Sequence, residues 1–126
     1  MSDTDALARP VFLIVDDDPL IVHALARTLR PLGKVSFTSE FDRVHVVAAM
    51  SKPKVILIDI DLPQVTGLDI AKSIRGNPDL DSTQIVLMTS HRAESVLKAA
   101  EELSGNHVVS KPIDFGELTR MVRPWI

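Results

Sequence analysis

Residues 54–76 read KVILIDIDLPQVTGLDIAKSIRG, and this stretch decides the fold class. It begins with Lys54–Ile58, a run nearly continuous in Val, Ile and Leu, as in a parallel strand that is covered on both faces. From Gly67 onward, apolar side chains return at helical spacing until Gly76-Asn77-Pro78 ends the pattern. A buried strand that leads into an amphipathic helix indicates an α/β protein.

The same alternation of strand and helix extends along the rest of the chain. The other predicted strands are Val11–Val15, Lys34–Thr38, Gln84–Thr89 and His107–Ser110. Among all five runs, only the second alternates polar and apolar residues, a pattern that favours the edge of a sheet. We therefore predict a single doubly wound parallel sheet of five strands flanked by five helices.

Five amphipathic patterns predict the helices. In the first, one apolar stripe contains Ile21, Leu25, Leu29 and Leu32. Asp18 and Pro19 are typical of a helix start, and Gly33 is expected to end this helix. The others are predicted over Phe41 to about Met50, from Gly67, over about Ala93–Leu103, and around Phe115, Leu118 and Val122.

Composition limits the classes of function. The chain has 126 residues, 45% of them hydrophobic, which suits one domain with its own core. The absence of cysteine excludes thiolate zinc sites, thiol redox chemistry and a disulfide scaffold. The net charge is −3 and the basic residues are scattered, so direct nucleic-acid binding is not expected.

Location and domain limits are also predicted from the sequence. No apolar run approaches the roughly 18 residues of a membrane span. The acidic start, residues 1–5, lacks the basic and apolar regions of a signal peptide, so we expect a soluble, cytoplasmic chain. Residues 1–9 are predicted to be a flexible tail, and residues 10–126 to form the domain.

Polar residues follow four of the predicted strands. Asp16 and Asp17 follow the first, Asp59 follows the third, Thr89 ends the fourth and Lys111 follows the fifth. Ligands of open parallel sheets bind outside the carboxyl ends of the strands, so we expect these five side chains to meet in one site. Three carboxylates without a soft ligand suit a hard cation such as Mg²⁺. One carboxylate can then act as a nucleophile and form an aspartyl phosphate.

Four motifs in the chain resemble the receiver domain of two-component response regulators. They are VFLIVDDDP at residues 11–19, VILIDIDLPQVTG at 55–67, IVLMTS at 85–90 and VVSKP at 108–112. The resemblance extends from Val11 to about Val122 and implies a flavodoxin-like sheet with strand order 2-1-3-4-5. It also implies that a sensor histidine kinase or a histidine phosphotransfer protein donates a phosphoryl group to Asp59.

The resemblance assigns roles to the site residues. Asp16, Asp17 and Asp59 correspond to the Mg²⁺ ligands, with the main-chain carbonyl of Asp61 as a further ligand. Thr89 corresponds to the switch hydroxyl, and Lys111 to the lysine that pairs with the phosphoryl group. The positions that tune dephosphorylation in the family are Asp61 and His91 here. The family usually has an aromatic residue where this chain has Val108, and Ala is common where it has Ser90.

Two other functions compete with this interpretation. Asp59-Ile60-Asp61 followed by a later Thr and Lys also resembles haloacid-dehalogenase-like phosphatases, in which the second Asp is a general acid. A degenerate receiver would bind partners without phosphorylation. The leading interpretation is a single-turnover signalling module rather than an enzyme. An output domain on the same or another chain, and a homodimer through the face from the fourth to the fifth helix, are expected only by analogy.

Overall fold

The computed structural model describes residues 9–90, 93–105 and 107–126. Five parallel strands form its sheet in the order β2-β1-β3-β4-β5, which confirms the predicted topology. The strands are β1 Val11–Val15, β2 Lys34–Phe37, β3 Val55–Asp59, β4 Gln84–Thr89 and β5 Val108–Ser110. Of the predicted tail, only Arg9 is described, and its guanidinium donates a hydrogen bond to the carbonyl of Arg30 (2.8 Å).

Five α-helices flank the sheet. They are α1 Pro19–Leu29, α2 Val44–Ser51, α3 Gly67–Arg75, α4 Glu94–Ser104 and α5 Phe115–Val122. Short 3₁₀ turns lie at Phe41–Arg43, Pro78–Leu80 and Arg123–Trp125. Within the described part of the chain, no helix is both long and apolar enough to span a lipid bilayer.

Two apolar cores lie on opposite faces of the sheet. Helices α1 and α5 pack on one face, where their buried residues include Leu25, Leu29 and Leu118. Helices α2, α3 and α4 cover the other face. Every residue of β3 is buried, which explains why its sequence does not alternate. The edge strand β2 is mostly exposed, as its alternating sequence predicted.

The structure corrects the predicted end of the first helix. Helix α1 ends at Leu29 rather than near Gly33. The reason is Pro31, which has no N–H to continue the helical hydrogen bonds beyond Arg30. Leu32 therefore lies outside the helix, although it still packs against the core. Gly33 serves a close approach instead, because a Cβ atom there would lie 2.4 Å from the carbonyl oxygen of Pro10.

Smaller differences affect three strands and the second helix. The second predicted strand loses Thr38, the third moves forward by one residue to end at Asp59, and the fifth begins at Val108. The helix predicted from Phe41 begins as a 3₁₀ turn and becomes α-helical only at Val44. These are shifts at element ends, where hydrogen bonding and fraying decide the boundary.

Gly67 fixes the position of α3 relative to β3. Its N–H donates a hydrogen bond to the carbonyl of Ile60 (3.0 Å), and Thr66 caps the helix by accepting the N–H of Asp69 (3.1 Å). A Cβ atom on Gly67 would lie 2.3 Å from the carbonyl oxygen of Asp59. Only glycine lets the helix start this close to the end of β3.

We predict that Gly67→Ala destabilises the chain by about 1–3 kcal/mol, because the added methyl group forces the backbone near Asp59 to move. The matched control is Gly76→Ala at the end of α3. A Cβ atom at Gly76 meets its nearest neighbours at an ordinary 3.5 Å, and its φ of −77° suits alanine. We expect this control to change stability by less than about 1 kcal/mol.

Urea denaturation followed by circular dichroism measures both effects as free energies of unfolding. Equal stabilities of the two variants would contradict the close packing of α3 against β3.

Candidate functional site

The carboxyl ends of the central strands bring the predicted residues together. Asp59 and Thr89 are the last residues of β3 and β4, while Asp16 and Lys111 directly follow β1 and β5. Main-chain hydrogen bonds extend the sheet past these ends, from the N–H of Ile60 to Met88 (2.9 Å) and from the N–H of Lys111 to Thr89 (2.9 Å). The sheet itself therefore sets the spacing of the site.

Three carboxylates form an acidic cluster at this edge. One oxygen from each of Asp16, Asp17 and Asp59 lies within 4.8 Å of the others. Asp16 and Asp59 are buried, whereas Asp17 is exposed. The N–H of Asp18 donates to Asp16 Oδ1 and the N–H of Asp61 donates to Asp59 Oδ1, both at 2.9 Å. These bonds orient the two buried carboxylates.

The donor set of the acidic cluster fits a hard divalent cation. Its three ligating groups are all carboxylates, the ligands that Mg²⁺ and Ca²⁺ prefer, with no sulfur or imidazole. A shared cation would also offset the repulsion among three negative groups. Asp16, Asp17 and Asp59 are therefore the residues that could hold a metal ion.

Lys111 bridges the two buried carboxylates. Its Nζ lies 2.9 Å from Asp16 Oδ2 and 3.2 Å from Asp59 Oδ2. The lysine side chain is 18% exposed, so one end of the bridge reaches solvent. Because a buried charge is costly unless it is paired, this ammonium is what allows two carboxylates to be buried side by side.

Burial and neighbouring charges shift the pKa values of Asp59 and Lys111. Burial raises the pKa of Asp59 and the charge of Asp16 adds to the rise, while the N–H of Asp61 and Lys111 act in the opposite direction. Burial alone would lower the pKa of Lys111, but its hydrogen bond to Asp16 and the charges of Asp16 and Asp59 raise it overall. Lys111 therefore stays protonated. For Asp59, the folded environment disfavours the ionised carboxylate.

The side chain of Asp61 contacts the end of β4. Its Oδ2 accepts hydrogen bonds from Thr89 Oγ1, Ser90 N and Ser90 Oγ, each at 3.4 Å. From the sequence, Ser90 is only a departure from the alanine that is common at this position, and this contact is not predicted. The signal was a hydroxyl directly after Thr89. His91 lies outside the described residues.

Val108 occupies the position where an aromatic ring is common in the resembled family. It begins β5, is half-buried, and packs against the core on the face covered by α2, α3 and α4. A valine at this place contributes to packing but offers no large ring to swing between two positions.

The family model for "Response regulator receiver domain" matches residues 12–123 of this chain. A similar curated protein is the transcriptional regulatory protein KdpE of Staphylococcus aureus, 30% identical over 113 residues, which cover 88% of this chain and 47% of that protein. The chain spans only about half, or less, of the length of the first curated relatives, 40% to 47%.

Solved structures resemble the whole described fold. A putative response regulator from Chloroflexus aurantiacus has a TM-score of 0.83 at 25% identity, over 93% of this chain and 97% of that one. Chemotaxis protein CheY4 of Vibrio cholerae also has a TM-score of 0.83, at 21% identity, over 94% of this chain and 100% of that one. Because CheY4 is only 21% identical, its likeness to this chain concerns the fold alone.

We predict that Asp59→Asn stabilises the metal-free chain at neutral pH. Burial raises the pKa of Asp59 above its ordinary value of 3.8, so the folded state disfavours the ionised carboxylate. A group whose pKa is raised in the folded state contributes its full share of stability below its unfolded pKa. That contribution is lost as the pH rises through its folded pKa. The gain from Asp59→Asn should therefore be largest at neutral pH and shrink as the pH falls toward 3.8.

Thermal denaturation in the presence of a chelator measures this gain as a difference in Tm across the pH range. The control is Asp114→Asn, an exposed cap of α5 whose side chain accepts the N–H of Glu117, a bond that asparagine also accepts. A lower Tm for Asp59→Asn at neutral pH would mean that attraction to Lys111 outweighs the cost of burial.

Proposed function

The chain belongs to the response regulator receiver domain family of two-component systems, and we propose that Asp59 is its phosphoryl acceptor. The donor is a phosphohistidine on a sensor histidine kinase or a histidine phosphotransfer protein. The phosphorylated chain then presents an altered surface to a partner. This is a single-turnover signalling step, followed by autodephosphorylation, rather than turnover of a substrate by an enzyme.

The contact between Lys111 and Asp59 carries the proposal. The ammonium lies 3.2 Å from Asp59 Oδ2 and 2.9 Å from Asp16 Oδ2, so it stays anchored to Asp16 when Asp59 is modified. A phosphoryl group on Asp59 adds negative charge beside this cation, which can pair with its oxygens. Phosphoryl transfer depends mainly on such positioning and charge stabilisation.

The transfer itself balances without an oxidant or reductant. The P–N bond of the phosphohistidine breaks, a P–O bond to a carboxylate oxygen of Asp59 forms, and the imidazole leaves with the electron pair and takes up a proton. With a small acyl phosphate donor, the bond that breaks is P–O and the leaving group is a carboxylate. The ionised form of Asp59 is the nucleophile.

Mg²⁺ is the proposed cofactor. Asp16, Asp17 and Asp59, with the main-chain carbonyl of Asp61, would hold it, and its charge would screen these carboxylates from the incoming phosphoryl oxygens. The chain's own contribution is the buried pair Asp16 and Asp59, whose orientation is set by hydrogen bonds from the main chain.

No observation favours the phosphatase alternative. In that mechanism Asp61 would donate a proton to the leaving group, but its carboxylate contacts Thr89 and Ser90 at the end of β4. The kinase, the output domain, a homodimer through the face from α4 to α5, the cytoplasmic location and the absence of direct nucleic-acid binding stay predictions.

We predict that a small acyl phosphate with Mg²⁺ adds one phosphoryl group to the chain, detected by intact mass. The adduct should be absent in Asp59→Asn, which lacks the nucleophile, and should be lost when a chelator removes the metal. Asp17→Asn should reduce the adduct strongly, because it removes one of three carboxylates from the acidic cluster.

Asp18→Asn is the matched control for this assay. Asp18 adjoins the acidic cluster, but its side chain caps α1 by accepting the N–H of Leu20 (2.9 Å), which asparagine also does. It should be phosphorylated like the wild type. No adduct under any condition would favour a degenerate receiver, and sustained turnover that Asp61→Ala abolishes would favour a phosphatase.

A further inference from the structure

Three hydrogen-bond donors from the end of β4 converge on one carboxylate oxygen. Thr89 Oγ1, Ser90 N and Ser90 Oγ each lie 3.4 Å from Asp61 Oδ2. Thr89 is buried, with 1% of its surface exposed, whereas Ser90 and Asp61 are exposed. The contact joins the loop after β3 to the end of β4.

A threonine hydroxyl can donate only one hydrogen bond. In the unphosphorylated chain, Thr89 Oγ1 donates a hydrogen bond to Asp61 Oδ2 at 3.4 Å. To donate to a phosphoryl group on Asp59, Thr89 must first give up this bond. The carboxylate and the phosphoryl group are therefore alternative acceptors for the same proton.

The main chain keeps these two acceptors close to each other. Asp61 is two residues from Asp59, and its N–H donates to Asp59 Oδ1 at 2.9 Å. The backbone of Asp61 is thus bound to the acceptor residue while its side chain reaches toward β4. A phosphoryl group on Asp59 and the carboxylate of Asp61 would also repel each other, since both are negative.

We infer that the Asp61 carboxylate is a positioning residue that holds Thr89 and Ser90 in the unphosphorylated chain and competes with the phosphoryl group for them. The switch then consists of an exchange of acceptors: the Thr89 hydroxyl leaves the carboxylate of Asp61 and joins the phosphoryl oxygens. This inference rests on the proposed function of Asp59. It adds that Asp61 sets how easily Thr89 responds.

The exchange also gives Ser90 a role. Its N–H and hydroxyl supply two of the three bonds to Asp61 Oδ2, so they help to keep this carboxylate near Thr89. Removing the Ser90 hydroxyl should loosen the arrangement only while Asp61 carries a carboxylate. The effects of substitutions at 61 and 90 should therefore be coupled.

The first test is an NMR measurement on the unphosphorylated, metal-free chain. Asp61→Ala should shift the Ser90 amide resonance, because this N–H loses its carboxylate acceptor, and Asp61→Asn should shift it less. Asp18→Asn, which removes a nearby negative charge without touching β4, should leave it in place. An unmoved Ser90 amide in Asp61→Ala would overturn the inference.

The second test is titration with beryllofluoride in the presence of Mg²⁺, as a stand-in for the phosphoryl group. Both Asp61→Ala and Asp61→Asn retain the main-chain carbonyl at 61. Asp61→Ala should bind roughly threefold to tenfold tighter than the wild type, because a competing acceptor is gone. Asp61→Asn should tighten binding less, because its amide oxygen still accepts a hydrogen bond. Ser90→Ala should also tighten binding, but not when combined with Asp61→Ala. Asp18→Asn should bind like the wild type.

The outcomes separate the two claims. If the wild type and all variants fail to bind beryllofluoride, the proposed function of Asp59 fails and the inference fails with it. If the wild type binds and Asp61→Ala binds no tighter, the inference alone is wrong. Equal tightening by Asp18→Asn would also overturn it, since charge near the site and not competition for Thr89 would then explain the result.

Discussion

The bridge from Lys111 to Asp16 and Asp59 is the interaction on which the site depends. Two carboxylates are buried next to each other at the end of the sheet, an arrangement that would be strongly unfavourable without a cation between them. The ammonium lies within 3.2 Å of both. It is held there by the strand order, because β1, β3 and β5 must end at the same edge for the three side chains to meet.

The fold supplies this edge through two apolar cores and one close backbone contact. Strand β3 is wholly buried between helices on both faces, so its end cannot shift without disturbing both cores. At that end Gly67 brings α3 against the carbonyl of Asp59. Asp59, the proposed phosphoryl acceptor, therefore lies on a rigid part of the molecule, as a site that depends on orientation requires.

The other side of the site is built differently. Thr89 and Ser90 reach it from the end of β4 through 3.4 Å contacts to Asp61, longer than the contacts made by Lys111. An exposed carboxylate with such partners can exchange them at little cost. In the proposed switch, a rigid Asp59 lies beside an adjustable pair of hydroxyls, an arrangement that involves no aromatic ring at position 108.

The sequence alone determined the α/β class, the edge position of β2 and the meeting of Asp16, Asp17, Asp59, Thr89 and Lys111 at one edge. These follow from the period of apolar residues and from the rule that parallel strands end together. Pro31 also indicates the end of α1 in the sequence, although the predicted end was Gly33. Only the tertiary structure decided that Asp17 is exposed, that Lys111 spans two carboxylates and that Asp61 turns to Thr89 and Ser90. Those features depend on side-chain directions and loop paths set by residues distant in the chain, which no local pattern encodes.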